Sequence, residues 1–306
     1  MNFQKRLRYL SSELGLKPVM KVSVIIPCFN AADTIAVQLE ALANQDWSEP
    51  WEVIVSDNGS TDESVAIVEH YRKRIPNIRV VDSSDRRGAA HARNVAALVA
   101  NGGALLFIDA DDEVAPGWLA TMGEALSKHD FVCGRNDHSK LNEPWIIKCY
   151  QCEEDTGITN HSYLPLAGAN NLGIKRSLHN AIGGFDEMLY KLQDVDYCWR
   201  VQQTGTKLHY VPDAVLHFRL RNTLADMYHR AWDMGSQEPL LYKKHRPMGI
   251  PKLILWKTLV NVSVRLPLQL LLLRVRDKES LGKWLIKFAW CGGQLQGCIK
   301  HRYLPM

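Results

Sequence analysis

Four short runs of aliphatic and β-branched residues recur in the first third of the chain, and each ends on a polar residue or on proline. They read VSVIIP, WEVIVSD, IRVVDSS and ALLFIDAD, at residues 22–27, 51–57, 78–84 and 104–111. Segments with helical spacing separate them. Apolar strands that alternate with helices are typical of a parallel sheet covered on both faces. We therefore predict an α/β fold with its ligand site at the carboxyl ends of the strands.

The chain has 306 residues, which favours one large domain with an extension. The regular alternation fades after residue 115, and from about residue 222 the pattern is mostly helical. A turn-like, Gly- and Asn-rich stretch covers residues 166–187. We predict an N-terminal arm at residues 1–20, an α/β domain at 21–221 and a helical extension at 222–306.

The predicted extension is strongly basic. Residues 241–306 hold thirteen Lys and Arg but only two acids, a charge of +11, whereas the whole chain is +4, so the first 240 residues carry −7. The apolar stretch at 253–276 is interrupted by Lys257 and Arg265, so it fits an interfacial amphipathic helix better than a membrane-spanning one. We expect 241–306 to bind a membrane surface peripherally. The alternative is that this segment packs on the domain.

Cysteine usage points to a reducing compartment. The chain has seven cysteines without the spacing of a disulfide framework, and Cys149 and Cys152 form a lone pair that lacks the second pair of a zinc site. The first ten residues contain charges but no apolar region after them, so they do not resemble a secretory signal. We expect a cytoplasmic protein that can sit at the inner face of the membrane.

The fourth apolar run ends in a cluster of carboxylates, FIDADDEV at residues 107–114. Asp109 and Asp111 are two positions apart, so in an extended segment both face the same side. Carboxylate pairs of this kind hold Mg²⁺ or Mn²⁺, although a solvated acidic turn has the same pattern. Asp112 and Glu113 are expected to begin the next turn or helix, where acids favour the helix dipole.

Two further polar stretches accompany this cluster. DNGSTDES, at residues 57–64, places Asp57 at a strand end before the flexible Gly59. DRRGAAHARN, at residues 85–94, offers arginines for phosphate groups around Gly88. A capping turn without any ligand would use the same residue types, so each stretch alone is weak evidence of a site.

In this order, the stretches resemble the family 2 glycosyltransferases, which have the GT-A fold, a Rossmann-like mixed sheet flanked by helices. The resemblance covers about residues 21–220. It rests on these motifs: VSVIIPCFNAADTI, VIVSDNGSTDES, RRGAAHARN, LLFIDADDEV, GGFDE, LQDVDYCWRVQQTG and AVLHF.

The resemblance implies a role for individual residues. Asp194 would be the catalytic base, Asp111 and His217 would hold Mn²⁺ or Mg²⁺, and Asp57 would contact the edge of the base. The implied donor-binding residues are Pro27, Asp33, Asp57, Asn58, Gly59, Arg86, Arg87, Gly88, Arg93, Asp109 and Asp111. The acceptor-side residues are Asp186, Glu187 and Gln193. The family often has Glu where this chain has Gln193, so acceptor contacts are expected to differ there. Asp196 is expected to pair with Arg200 along the helix instead of acting in catalysis.

The resemblance implies an inverting, metal-dependent transfer of a sugar from a UDP-sugar to a glycan or lipid-linked acceptor. Two alternatives remain: a non-catalytic nucleotide-sugar-binding or scaffold protein at the membrane, and a sugar-phosphate nucleotidyltransferase. The second needs a Gly-rich basic loop after the first strand, where this chain reads CFNAADT. The aromatic pattern of RNA-binding modules is missing, so no nucleic-acid partner is expected.

Overall fold

The apolar runs form the parallel part of an eight-stranded mixed sheet, as the predicted fold class requires. A computed structural model describes residues 21–75, 77–152, 157–253 and 255–303. The predicted arm at 1–20 lies outside the described residues. The strands are β1 (Val22–Cys28), β2 (Trp51–Asp57), β3 (Ile78–Asp82), β4 (Ala104–Ile108), β5 (Glu113–Val114), β6 (Phe131–Asp137), β7 (Asn171–Lys175) and β8 (His209–His217).

The strand order in the sheet is β3-β2-β1-β4-β7-β6-β8-β5. Strands β1, β2, β3 and β4 run parallel, β7 is antiparallel to both of its neighbours, β8 is parallel to β6, and β5 is antiparallel to β8. The chain order reverses at β1, which has β2 on one side and β4 on the other. In sheets of this type the crevice beside such a reversal is the usual ligand position.

Eleven α-helices lie in the described part of the chain. They are α1 (Ile35–Ala43), α2 (Ser64–His70), α3 (Ala89–Val99), α4 (Trp118–Lys128), α5 (Pro144–Tyr150), α6 (Arg176–Ala181), α7 (Gln193–Gln203), α8 (Leu224–His245), α9 (Leu255–Val260), α10 (Leu266–Leu271) and α11 (Lys278–Lys300). A π-helical turn, Asn261–Arg265, joins α9 to α10.

Both faces of the central strands are buried, which explains why these strands are apolar at successive positions. Along β1, Val24 and Ile26 pack into one hydrophobic cluster, with α1 and α4, and Ile25 packs into the other, with α3 and α7. All three side chains are fully buried. At roughly 1.5–3 kcal/mol for each fully buried aliphatic side chain, such strands stabilise the scaffold that carries the site.

Two predicted features differ in the structure. The turn-like stretch at 166–187 contains β7 and α6, because the backbone of residues 171–175 pairs with β4 and β6. Asp112 and Glu113, expected to begin a turn or a helix, do not begin a helix: Asp112 lies in a bend after β4, and Glu113 begins β5. Asp112 is fully buried and accepts a hydrogen bond from the amide of Arg219 at 2.8 Å, while Glu113 pairs with His217 in the sheet. The following helix, α4, begins only at Trp118.

The helices of the extension pack on one another and on the α/β domain. Glycines allow α8 and α11 to approach closely, since a Cβ at Gly293 would lie 2.2 Å from the carbonyl oxygen of Trp232. Lys244 and His245, at the end of α8, both bind the carboxylate of Asp196 on α7, at 2.7 and 2.8 Å. The end of α8 is therefore anchored to the α/β domain, whereas both alternatives for 241–306 stay predictions. Among the described helices, none has the length and apolar character needed to cross a bilayer.

Candidate active site

A cavity of about 760 Å³ lies at the carboxyl ends of β1 and β4, beside the reversal of strand order. The turn before α7 and the middle of α8 complete its wall. Nine of the predicted site residues line it: Pro27, Asp33, Asn58, Gly88, Arg93, Asp109, Asp111, Gln193 and Asp194. Residues separated by up to 167 positions in the chain are thus brought into one space by the order of the strands.

Three carboxylates at the end of β4 form a candidate cation site. Asp109, Asp111 and Asp112 each offer an oxygen, and these oxygens all lie within 4.8 Å of one another. Burial, followed by the charge of Asp109, raises the pKa of the Asp111 carboxyl, and the same causes together with Asp111 raise that of Asp112 well above its usual range. Asp112 Oδ2 is buried without a hydrogen-bond partner among the described residues. A divalent cation would relieve this repulsion, so the residues fit a hard metal ion.

Arg93, on α3, holds the first of these carboxylates. Its Nη2 donates to Asp109 Oδ1 at 2.6 Å, and its side chain is only 4% exposed. Nε and Nη1 of the same guanidinium are buried and have no hydrogen-bond partner in the described part of the chain. Buried donors without partners are rare in folded proteins, because each one loses its bonds to water. Arg93 thus brings to the cavity wall a guanidinium that the described residues bond only in part.

Asn58 shapes a loop beside the cavity. Its Nδ2 donates to the carbonyl oxygens of Ser83 and Arg86, at 2.5 and 2.8 Å, and its Oδ1 accepts from the amide of Gly88 at 2.8 Å. Gly88 has φ of 136°, a conformation that favours glycine. The buried Asn58 side chain thus fixes the loop from which α3 begins.

The structure places several predicted donor-binding residues away from the cavity wall. Arg86 forms an ion pair with Glu187 at 2.8 Å, and Arg87 donates to the carbonyl oxygen of Asn58 at 2.5 Å while its guanidinium stacks over Phe29. Both arginines have partners within the protein, and their approach to a diphosphate stays a prediction. Arg93, predicted with them, does line the cavity.

Asp57 and Gly59, in the turn after β2, also lie outside the set of residues that line the cavity. Both carboxylate oxygens of Asp57 face the amide of Ser60, at 3.1 and 3.3 Å, and Gly59 has φ of 82° in this turn. Neither residue is among the described residues that line the cavity. Asp57 shapes the turn beside the buried Asn58, and its contact with a base stays a prediction.

The three residues predicted to contact the acceptor have different surroundings. Asp186 binds Lys244 at 2.6 Å, and Glu187 binds Arg86, His91 and Asn94, so both carboxylates are satisfied within the protein. Gln193 does line the cavity, and its Oε1 is buried without a hydrogen-bond partner among the described residues. Of the three residues predicted to contact the sugar acceptor, Gln193 is therefore the one whose side-chain oxygen receives no hydrogen bond in the described chain.

Asp194 stands in the first turn of α7 at the wall of the cavity. Its Oδ1 accepts from the amide of Val195 at 2.9 Å, and its Oδ2 has no hydrogen bond or ion pair among the described residues. Burial raises the pKa of its carboxyl, and the charges of Arg93 and Arg230 partly oppose that rise. A partly buried carboxylate with a raised pKa, next to a cluster of cations, has the properties of a general base.

Asp196, two positions further on, has a different environment. It is fully buried and accepts hydrogen bonds from Arg200 at 2.7 Å and from His245 at 2.8 Å. The predicted pairing with Arg200 is confirmed. Asp196 anchors α7 to the extension and does not line the cavity.

His217 is not part of the carboxylate cluster. Its Nδ1 bonds to the Asp137 carboxylate, and the residue pairs with Glu113 across the strands β8 and β5. It is also absent from the described residues that line the cavity. In this structure the ring of His217 is held by Asp137, and its role as a metal ligand stays a prediction.

Four cations that the sequence patterns did not single out also line the cavity: Lys191, Arg219, Arg221 and Arg230. Arg219 Nε donates to the carbonyl oxygen of Asp111 at 2.8 Å, and Arg221 lies 3.3 Å from its carboxylate. These two arginines directly follow β8, so the rule that strand ends carry ligand residues could have found them. Arg230 lies inside α8, and no local pattern distinguishes it.

Comparison with known proteins agrees with this geometry. The family described as Glycosyl transferase family 2 matches residues 23–186, just over half of the chain. An uncharacterized glycosyltransferase, YibD of Escherichia coli strain K12, is 36% identical over 139 residues, 45% of this chain and 37% of the relative. The poly(ribitol-phosphate) beta-N-acetylglucosaminyltransferase TarS of Staphylococcus aureus strain Mu50 is 36% identical over 113 residues, 36% of this chain and 20% of the relative. The matched segment thus spans well under two thirds of either relative.

Solved structures share the fold. The mannosyltransferase PcManGT from Pyrobaculum calidifontis, in complex with GDP-Man and Mn²⁺, superposes with a TM-score of 0.64 and 17% identity, covering 96% of this chain and 94% of the other. Residues 1–349 of S. aureus TarS in complex with UDP-GlcNAc give a TM-score of 0.52 and 17% identity, covering 94% and 93%. At these identities the likeness is one of fold.

Proposed function

Because the chain belongs to glycosyl transferase family 2, we propose that it transfers a sugar from a nucleoside diphosphate sugar to a hydroxyl group, with inversion at the anomeric carbon. One observation carries the proposal. A partly buried carboxylate, Asp194, faces the same cavity as Asp109, Asp111 and the incompletely bonded guanidinium of Arg93. A base and an anion-binding group in one cavity are what a displacement at a sugar diphosphate requires.

The donor would lie along the ends of β1 and β4. Pro27, Asp33 and Asn58 would surround the nucleoside, and Nε and Nη1 of Arg93 would donate to the diphosphate or to the sugar. We propose UDP as the nucleotide. The TarS structure was determined with UDP-GlcNAc, and the TarS sequence is 36% identical to this chain in the matched segment.

The carboxylate cluster would hold Mn²⁺ or Mg²⁺, with Asp111 as a ligand and Asp109 beside it. When bound, such an ion supplies positive charge to the leaving diphosphate. The fit rests on three oxygens that lie within 4.8 Å of one another and on the raised pKa values of Asp111 and Asp112. Arg219 and Arg221 border the same carboxylates and would add charge on that side.

Asp194 would remove the proton from the acceptor hydroxyl. As that oxygen forms its bond to the anomeric carbon, the bond from this carbon to the diphosphate oxygen breaks, and the electron pair leaves with the nucleoside diphosphate. A single displacement of this kind inverts the anomeric centre. A positioned general base contributes about 10²–10⁴-fold to the rate. Gln193 would accept a hydrogen bond from the acceptor through its unpaired Oε1.

The acceptor would be a glycan or a lipid-linked glycan, taken at the cytoplasmic face of the membrane. Nine of the eighteen exposed large hydrophobic residues in the described chain lie between Trp256 and Leu273. Lys252, Lys257 and Arg265 lie within or before this segment, and Arg274 and Arg276 follow it. Apolar side chains rimmed by cations match the surface of an anionic bilayer, so we propose that 252–276 rests on the membrane.

The test of the reaction is release of nucleoside diphosphate from a panel of UDP- and GDP-sugars, with and without Mn²⁺ and with candidate glycan acceptors. We expect release of UDP that depends on the acceptor and on Mn²⁺. Binding of a UDP-sugar without any turnover would support the scaffold alternative. Release of pyrophosphate from UTP and a sugar phosphate would support the nucleotidyltransferase alternative.

A further inference from the structure

Two cations in the cavity wall have no direct ion-pair partner among the described residues. Lys191 precedes α7, and Arg230 lies in the middle of α8; both line the cavity with Asp194. In the described part of the chain, neither side chain has a hydrogen bond or an ion pair. By contrast, Arg93, Arg219 and Arg221 all bind oxygens of Asp109 or Asp111. Lys191 and Arg230 therefore differ from the other cavity cations in having no direct partner in the described chain, and both interact electrostatically with Asp194.

The arrangement is electrostatically unfavourable in the free protein. Burial lowers the pKa of the Lys191 ammonium, and the neighbouring charge of Arg230 lowers it further. Asp233 and Asp194 act in the opposite direction but do not cancel the effect. Two partly buried like charges persist in folded proteins mainly where a ligand supplies the opposite charge.

We propose that Lys191 and Arg230 bind a phosphate group of a substrate beside Asp194. The proposal rests on the proposed glycosyl transfer and adds the chemical class of a group that the cavity recognises. A phosphate offers several acceptor oxygens, which suit the three donors of an ammonium and the planar fork of a guanidinium. Each charged hydrogen bond of this kind is worth a roughly tenfold to hundredfold change in affinity.

Lys191 and Arg230 both lie after the segment of the chain that matches the family. The family match ends at residue 186, before both residues, and Arg230 belongs to the predicted extension. The extension would therefore complete the substrate site as well as pack on the domain. Two sources of phosphate are chemically equivalent here: the diphosphate of the donor, and a phosphate diester or diphosphate carried by the acceptor.

Two binding measurements on the full chain separate these sources. In the first, UDP and GDP are titrated in the presence of Mn²⁺. In the second, inorganic phosphate and glycerol phosphate are titrated into protein already saturated with UDP and Mn²⁺. The variants are Lys191→Gln, Arg230→Gln and the double substitution, with Arg230→Lys as the conservative variant. The matched control is Lys243→Gln, an exposed cation on the same helix that lies outside the cavity.

We expect the double variant to lose at least tenfold in affinity in one of the two titrations, with Arg230→Lys retaining part of the affinity and Lys243→Gln retaining all of it. A loss in the first titration identifies the donor diphosphate as the ligand. A loss confined to the second identifies a phosphate on the acceptor. Wild-type affinity of the double variant in both titrations would overturn the proposal, as would a wild-type protein that binds no probe. If neither UDP nor GDP binds, phosphate is titrated into the free protein, and binding that requires this pair would then contradict the proposed sugar transfer.

Discussion

Arg93 Nη2 lies 2.6 Å from Asp109 Oδ1, while Nε and Nη1 of the same guanidinium are buried without hydrogen-bond partners in the described chain. The ion pair holds the guanidinium at the cavity wall, and the two remaining donors are left for a ligand. A buried arginine held in this way is pre-organised, because its orientation is fixed before the ligand arrives.

Arg93→Lys should weaken binding of the nucleoside diphosphate about tenfold to a hundredfold, because it keeps the charge but removes the fork of donors. Isothermal titration with UDP and Mn²⁺ measures this. The matched control is Arg86→Lys, since Arg86 is bound to Glu187 outside the cavity and its replacement should leave the affinity unchanged. A loss of affinity in Arg86→Lys alone would reverse this assignment.

Asp111→Asn should weaken binding of Mn²⁺ and slow transfer by at least an order of magnitude, because the amide keeps the shape but loses the charge that a hard cation prefers. Chelation of the wild-type protein should likewise stop transfer until Mn²⁺ is restored. Binding can be followed by the electron paramagnetic resonance signal of free Mn²⁺. Transfer that continues at its full rate after chelation would show that the carboxylates serve another purpose.

Asp196→Asn should lower the free energy of unfolding by about 3–5 kcal/mol, because Arg200, Lys244 and His245 would lose their shared buried counter-charge. Urea denaturation measures this. Glu69→Gln is the control: it removes an exposed partner of Arg72 and should not measurably change stability. Similar stability of the wild type and Asp196→Asn would contradict the role of this carboxylate as an anchor.

The lowered pKa of Asp196 predicts that the protein loses stability in acid. Burial alone would raise its pKa, but the bonds from His245 and the charges of Arg200 and Lys244 outweigh burial and lower the pKa to about 2. A depressed pKa means that the unfolded state binds the proton first, so the stabilisation is complete above about pH 4 and is lost as the pH falls towards 2. The difference in stability between the wild type and Asp196→Asn should therefore shrink over that range. If this difference in the free energy of unfolding stayed constant over that range, the ionisation of Asp196 would not be its cause.

The order of elements and the position of the cavity follow from local patterns, because apolar strands and their polar ends are encoded within a few residues. Asp109 and Asp111 could be identified in this way, whereas Asp194 was implied only by the family resemblance. The roles of Arg86 and Arg93 could not be distinguished, since the partner that binds Arg86 lies 101 residues away in the chain. The surroundings of His217 and Asp112 could not be predicted for the same reason: each is bound by a residue on a distant strand or loop.

Replacing Leu268, Leu271 and Leu273 together by Gln should reduce binding to vesicles of phosphatidylserine and phosphatidylcholine at least tenfold, because three exposed apolar side chains would no longer enter the interface. Co-sedimentation measures the bound fraction. The control replaces Leu98 and Ile299, which are 83% and 80% exposed elsewhere on the surface. Equal vesicle binding by the triple variant and the wild type would contradict the proposed contact between residues 252–276 and a membrane.

The most direct measurement is a single-turnover assay of Asp194→Asn with a donor and acceptor that the wild type uses. The amide preserves the size of the side chain but cannot accept the proton of the acceptor hydroxyl. The account predicts transfer slowed by about 10²-fold or more, with the affinity for the nucleotide sugar within a factor of two or three of the wild type. Transfer at the wild-type rate would contradict the assignment of Asp194 as the base, and with it the proposed displacement.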